Sequence, residues 1–100
     1  MSPHLKKLLV IITEASIEQQ LATDIKSLGA HGYTVFEVRG SGSRGERNAE
    51  WDADRSIQFE VICDQATAAA LAAHIQKTYF SNYAITLFTT TVEVLRSEKF

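Results

Sequence analysis

The sequence predicts an α+β domain of four strands and two helices in the order β-α-β-β-α-β, its strands forming one antiparallel sheet with both helices on one face. Three observations predict this. An unbroken apolar, β-branched run opens the chain, two stretches of helical period each follow a strand, and the remaining segments alternate with period two. At 100 residues, 45% of them hydrophobic and 22% charged, the chain accommodates one domain over residues 1–100 and no second one.

Leu8-Leu9-Val10-Ile11-Ile12-Thr13 has the composition of a strand that is central in a sheet or covered on both faces. The run is far shorter than a membrane span and lacks the small-residue cleavage site of a secretory signal. Ser16 followed by Gln19 has the form of a capping box. Ile17, Leu21, Ile25 and Leu28 then recur at helical spacing until Gly29 and Gly32 stop the helix. From Tyr33 the pattern alternates, with Tyr33, Val35 and Glu37 on one side and Thr34, Phe36 and Val38 on the other, ending at Arg39-Gly40. Residues 57–63 alternate again as the third strand, and Asp64 suits the N-cap of an alanine-rich helix reaching about Tyr79, with Leu71, Ile75 and Tyr79 as its buried stripe. Asn82 suits a left-handed turn position, and residues 83 to about 94, rich in Thr, Val, Ile, Phe and Tyr, close the sheet as the fourth strand. This order is the ferredoxin-like, split βαβ arrangement.

One face of such a sheet has no cover within the chain. Residues of both parities in the first and last strands are largely apolar, Leu9, Ile11, Phe88 and Val92 beside Val10, Ile12, Ile85 and Leu87, whereas a wet face would alternate with charge. The expectation is that a second copy covers it; a monomer exposing Thr residues 89–91 is the alternative. Ten Lys and Arg against twelve Asp and Glu give a net charge of -2, which argues against a nucleic-acid binder or a polybasic membrane-surface protein. The single cysteine, Cys63, allows neither an internal disulfide nor a cysteine zinc site, so a reducing compartment, the cytoplasm, is expected. Burial as a small hydrophobe is the reading for its side chain.

The strongest local signal lies between the two middle strands. All five glycines fall at positions 29, 32, 40, 42 and 45, the last three interleaved with Arg39, Ser41, Ser43, Arg44 and Arg47. Glycines permit close backbone approach, successive N–H groups form anion-binding concavities, and Ser hydroxyls and Arg forks add donors matched to phosphate or carboxylate oxygens. The segment thus has the chemistry of an anion cradle, although the same composition suits a solvated hairpin loop. It is neither a P-loop nor a dinucleotide fingerprint, since two strands flank it and no Gly-Lys-Ser/Thr opens a helix. Residues 48–54 carry three acids and no base around Trp51, the only tryptophan, so the long loop is basic on one limb and acidic on the other.

With this order of elements, Gly-Tyr-Thr-Val at 32–35, Gly42-Ser43-Arg44 with Arg47, Phe59-Glu60, Tyr79-Phe80 before Tyr83-Ala84, and the ending Val92-Glu93-Val94-Leu95, nearly the whole chain resembles PII-like signalling proteins. The branch it resembles is that of the SbtB regulators and carboxysome-associated PII-like proteins. The resemblance implies a homotrimer with inward-turned sheets, an adenine-nucleotide site in each intersubunit cleft, and a T-loop over about residues 40–56 whose shape reports the ligand. It implies that Gly40, Ser41, Gly42, Ser43, Arg44 and Arg47 meet the phosphate, that Thr34 and Val35 border the adenine, and that Tyr83, Ala84 and Ile85 close the pocket. The ligands implied are AMP, ADP or cyclic AMP, with bicarbonate at Arg44 and Arg47. The partners implied are a bicarbonate transporter or a carboxysome-related protein, the transporter holding the chain at the periphery of the inner membrane. Ile85 stands where SbtB-type chains can carry a glycine, and the Gly/Lys-rich phosphate turn of the nitrogen-sensing proteins is absent, so a triphosphate held as in those proteins is not expected. Some SbtB proteins end in a Cys-containing redox tail, whereas Cys63 is the only cysteine here, so tail-dependent redox control or nucleotide cleavage is not expected.

No catalytic or metal-ligating set stands out. His4, His31 and His74 share no spacing and are expected to be solvated. Glu14, Glu60 and Glu93 have no acid/base partner identifiable from sequence, and Arg96 and Lys99 read as solubilising. Two other functions compete with signalling. An acylphosphatase-like hydrolase would need a phosphate cradle with an Arg after the first strand, where Thr13-Glu14-Ala15 has neither Gly nor Arg. A CutA-like trimeric structural protein would leave the Arg/Ser/Gly loop unexplained.

Overall fold

The structure, a computed structural model, describes residues 4–42, 45–46 and 55–100. In chain order the elements are β1 (His4–Glu14), a 3-10 turn (Ala15–Ile17), α1 (Glu18–Ser27), β2 (Thr34–Val38), β3 (Ser41–Gly42), β4 (Gly45–Glu46), β5 (Ser56–Cys63), α2 (Gln65–Tyr79), β6 (Thr86–Val94) and a last 3-10 turn (Ser97–Lys99). The four long strands form one antiparallel sheet in the order β2-β5-β1-β6, the ferredoxin-like arrangement the sequence predicts. β3 and β4 form a separate two-stranded ribbon.

β1 is central, paired on both sides, which is why its sequence can be apolar without interruption. Its odd positions Leu9 and Ile11 join Ile57, Phe59, Val61 and Cys63 of β5 beneath the helices. Ile17, Leu21 and Ile25, and from α2 Ala68, Leu71, Ile75 and Tyr79, complete the core. Each fully buried Leu, Ile or Phe side chain contributes about 1.5–3 kcal/mol, enough to outweigh any single cap or pair at the helix surface.

Both ends of α1 are set by competing local hydrogen bonds. The expected Ser16/Gln19 box does not form: Ser16 Oγ donates to Glu14 Oε1 at 2.6 Å, and the helix starts after a 3-10 turn with no side-chain cap. At the other end Gly29 is left-handed at φ 113°, with Ala30 N donating to Ile25 O and Gly29 N to Lys26 O, a Schellman motif that buries Ala30. That stop leaves Leu28 outside the helix and 36% exposed, instead of in the buried stripe. α2 follows its sequence closely, Asp64 Oδ1 accepting from Thr67 N at 2.9 Å. This hydrogen bond holds the Asp64 carboxyl below its usual range.

Two further expectations are corrected at the last turn. No described residue other than glycine has a positive φ, so Asn82 is not left-handed. β6 begins at Thr86, because Asn82 N and Tyr83 N both donate to Tyr79 O and curl residues 80–83 into a turn.

Even positions form the open sheet face. Across the register, one row is Thr34, Glu60, Val10, Phe88 and the next Phe36, Gln58, Ile12, Thr86. Phe88 and Phe36 are 50% and 42% exposed there, so large apolar side chains face outward with nothing from the described residues over them. Among the described residues no helix is long and apolar enough to cross a membrane.

Candidate functional site between two sheet edges

The residues expected to bind a ligand occupy three places in the fold. Thr34 and Val35 lie on β2, an edge strand paired only with β5 among the described residues. Their side chains take opposite faces: Thr34 stands opposite Glu60 on the open face, whereas Val35 stands opposite Phe59 and packs against the core. The two therefore share a strand edge and not a side-chain pocket. What that edge offers in common is backbone N–H and C=O groups that no described strand pairs, the groups able to hydrogen-bond the rim of a planar heterocycle.

Beyond β2 the chain rises into the ribbon, Ser41 opposite Glu46 and Gly42 opposite Gly45. Gly40 just before it is exposed, has no left-handed φ, and a Cβ there would meet nothing within 4 Å. Neither packing against the described residues nor a left-handed backbone requires glycine at position 40. Ser43, Arg44 and Arg47, with Trp51, lie outside the described residues. At the loop's base Arg55 Nη1 pairs with Glu37 Oε1 at 3.5 Å, and Arg55 O accepts from Ala15 N at 2.8 Å, tying the returning limb to the 3-10 turn after β1. Immediately beneath, Thr13 is fully buried and Ser56 nearly so, each hydroxyl without a hydrogen-bond partner among the described residues.

The third place is the turn before β6. Tyr83 and Ile85 are half-buried against the core, Ala84 between them is half-buried, and the Tyr83 ring meets Tyr79 edge-on at a centroid distance of 5.9 Å. This turn sits at the same end of the sheet as the loop base but at the opposite edge from β2. Three strand spacings, about 14 Å, separate β2 from β6. One chain thus does not bring Thr34 and Val35 together with Tyr83, Ala84 and Ile85. A cleft containing both sets requires the β2 edge of one copy to meet the β6 edge of another.

The partners of three polar groups were not legible in the sequence. Glu60 is half-buried, accepts from Gln58 Nε2 at 3.1 Å, and stands directly across from Thr34, so a carboxylate acceptor adjoins the β2 edge. His74 is not simply solvated: its Nε2 lies 3.0 Å from Asp24 Oδ2, which also accepts from the Tyr79 hydroxyl. His31 Nδ1 lies 3.1 Å from Lys99 O. Only the register, or packing between helices, could reveal such pairs. Cys63 is 1% exposed, and burial, with Asp64 adding and Lys6 opposing, pushes its thiol up and keeps it unreactive. Among the described residues no three His, Cys, Asp or Glu are grouped as a metal site requires.

Comparison with known proteins places this architecture. The sequence pattern of the nitrogen regulatory protein P-II family matches residues 6–99. A PII-like signalling protein from Thermus thermophilus is 36% identical, with 100% of this chain and 99% of that one covered at a TM-score of 0.87. CPII from Thiomonas intermedia K12, a nitrogen regulatory PII-like protein bound to ADP, AMP and bicarbonate, is 26% identical, covering 99% of this chain and 96% of that one at 0.86. The same protein bound to ADP and bicarbonate superposes at 0.89 with 23% identity, covering 99% and 97%.

Proposed function

Since this chain belongs to the nitrogen regulatory protein P-II family, whose members are trimers that bind adenine nucleotides, we propose that it is a non-enzymatic signalling protein that binds AMP, ADP or cyclic AMP in the clefts between copies of a homotrimer. The observation that carries this reading is the placement of the expected ligand residues on opposite sheet edges, which only an intersubunit cleft can unite. The similar CPII, with ADP, AMP and bicarbonate bound, supports the ligand class.

In this reading the adenine lies along the free edge at Thr34 and Val35, with the Glu60 carboxylate across from Thr34 on the neighbouring strand. Gly40, Ser41 and Gly42 supply backbone N–H groups at the phosphate, Ser43 its hydroxyl, and Arg44 and Arg47 the positive charge. Tyr83, Ala84 and Ile85 of the opposing edge close the cleft. Arg44 and Arg47 also take bicarbonate, a planar anion matched to a guanidinium fork. Residues 40–56 act as the T-loop: the ligand shifts the loop between two forms because it binds one of them better, and the favoured form engages a partner. The partner is a bicarbonate transporter or a carboxysome-related protein, the process is the uptake or concentration of inorganic carbon, and the location is the cytoplasm, at the inner membrane's periphery when the transporter is engaged.

Isothermal calorimetry with AMP, ADP, ATP and cyclic AMP, each with and without bicarbonate, tests this directly. Submillimolar binding of at least one of the three expected nucleotides, lost in the Arg44→Ala/Arg47→Ala double variant, is expected. Absence of heat with every nucleotide refutes the reading, and an affinity indifferent to bicarbonate removes the bicarbonate part.

A further inference from the structure

The helix-covered side of the molecule holds a polar cluster that neither the core nor the proposed cleft uses. Asp24, in the second half of α1, meets two residues of α2 that lie 50 and 55 positions away in sequence. Its Oδ2 accepts from the Tyr79 hydroxyl at 2.5 Å and lies 3.0 Å from His74 Nε2, with Thr78 Oγ1 3.5 Å from the other ring nitrogen. Tyr79 is 4% exposed while its hydroxyl reaches the edge of the cluster, so burial and the carboxylate together keep the phenol protonated.

Tyr79 is also where α2 hands over to the turn. Its carbonyl oxygen accepts from both Asn82 N at 3.1 Å and Tyr83 N at 3.0 Å, and its ring is the surface on which the Tyr83 ring rests. One residue therefore has its hydroxyl fixed to α1 and its carbonyl and ring fixed to the segment leading into Tyr83, Ala84 and Ile85. A helix C-terminus is ordinarily prone to fray, and a side-chain tie in the last turn of α2 opposes fraying next to the segment that closes the cleft.

We propose that Asp24 and Tyr79 are positioning residues for the turn at 83–85: the hydroxyl–carboxylate tie between the two helices holds the Tyr79 ring and carbonyl where they seat Tyr83, and so sets how tightly the cleft closes on its nucleotide. The consequence for affinity rests on the nucleotide-binding reading above, whereas the effect on the turn does not.

Three variants of the full chain test it. Tyr79→Phe keeps the ring and removes the hydroxyl, Asp24→Ala removes the acceptor, and Asp24→Asn keeps an oxygen that still accepts from Tyr79. The first readout is amide hydrogen exchange at Asn82 and Tyr83 relative to Ala68, whose amide bonds to Asp64 O at the far end of α2 and so serves as an internal control. Exchange at the two turn amides rises about ten- to hundredfold relative to Ala68 in Tyr79→Phe and Asp24→Ala, the factor expected for one lost bond to a charged group, and Asp24→Asn restores most of the protection. The second readout is calorimetry with ADP, whose affinity falls about five- to tenfold in the same two variants and recovers in Asp24→Asn. If the turn amides follow Ala68 in every variant, the cluster only fastens the helices and the proposal is overturned whatever the affinities. If they exchange selectively but the wild-type chain binds no nucleotide, the positioning role stands and the nucleotide reading falls.

Discussion

Phe88 offers the sharpest test of how copies of this chain meet. It sits in the row Thr34, Glu60, Val10, Phe88 on the open sheet face and is 50% exposed. A phenylalanine buries about 150–250 Å² when fully covered, so half of one leaves roughly 75–125 Å² for a neighbour, or about 2–3 kcal/mol of burial for each copy. Over three copies this is about 6–9 kcal/mol, which corresponds to four to six orders of magnitude, roughly, in the trimer association constant. Phe88→Ala forfeits that contribution, and Phe88→Asp adds a carboxylate that the interface would have to strip of water. The side chain is not part of the core beneath the helices, so the isolated chain keeps its circular dichroism and its cooperative melt. Sedimentation velocity over a dilution series reads the outcome: the wild type holds a trimer, the Ala variant dissociates on dilution, and the Asp variant sediments as a monomer. Nucleotide affinity falls with assembly, because the cleft needs two edges. An Asp variant that keeps the wild-type mass at the lowest concentration refutes the assignment of this face to the contact between copies.

Two further outcomes concern buried polar groups. Thr13→Val replaces a fully buried hydroxyl that has no partner among the described residues by an isosteric methyl, and should raise stability by about 1 kcal/mol in urea unfolding; an equal loss would show that the hydroxyl is hydrogen-bonded in solution. Tyr79, raised by burial and by Asp24, keeps its proton longer folded than unfolded. Its contribution is complete below about pH 10, where an unfolded tyrosine also holds its proton, and is lost as pH rises through the higher folded value. Stability of the wild type should therefore decline with alkali more steeply than that of Tyr79→Phe, as measured by chemical denaturation at a series of pH values; parallel curves would contradict the tie to Asp24.

The fold was legible because its signals are local and redundant. β1 reads as central from its uninterrupted apolar run, and α2 is delimited by Asp64 at its start and the Leu71, Ile75, Tyr79 stripe at its end. Where one local motif stood alone, a nearer competitor displaced it: Glu14 takes the Ser16 hydroxyl that the capping box needed. Tyr83 and Ile85 have strand-like composition yet precede the strand, since Tyr79 O captures the amides of Asn82 and Tyr83. Of the candidate site, the residue types at Gly40, Ser41 and Gly42 suggested anion chemistry without the sheet, and the alternation already put Thr34 and Val35 on opposite faces, but nothing local showed that their strand lies at a sheet edge, away from Tyr83, Ala84 and Ile85.

The amino-acid order by itself determined the types and succession of the four long strands and two helices, and the excess of apolar surface on one sheet face, because period and β-branching act over a few residues. Only the tertiary structure decided that Thr34 faces Glu60, that Asp24 reaches His74 and Tyr79, and that Thr34 and Val35 lie at the opposite sheet edge from Tyr83, Ala84 and Ile85. Those are juxtapositions between segments dozens of residues apart, and strand register and helix docking, which depend on the packing of the whole core, place them.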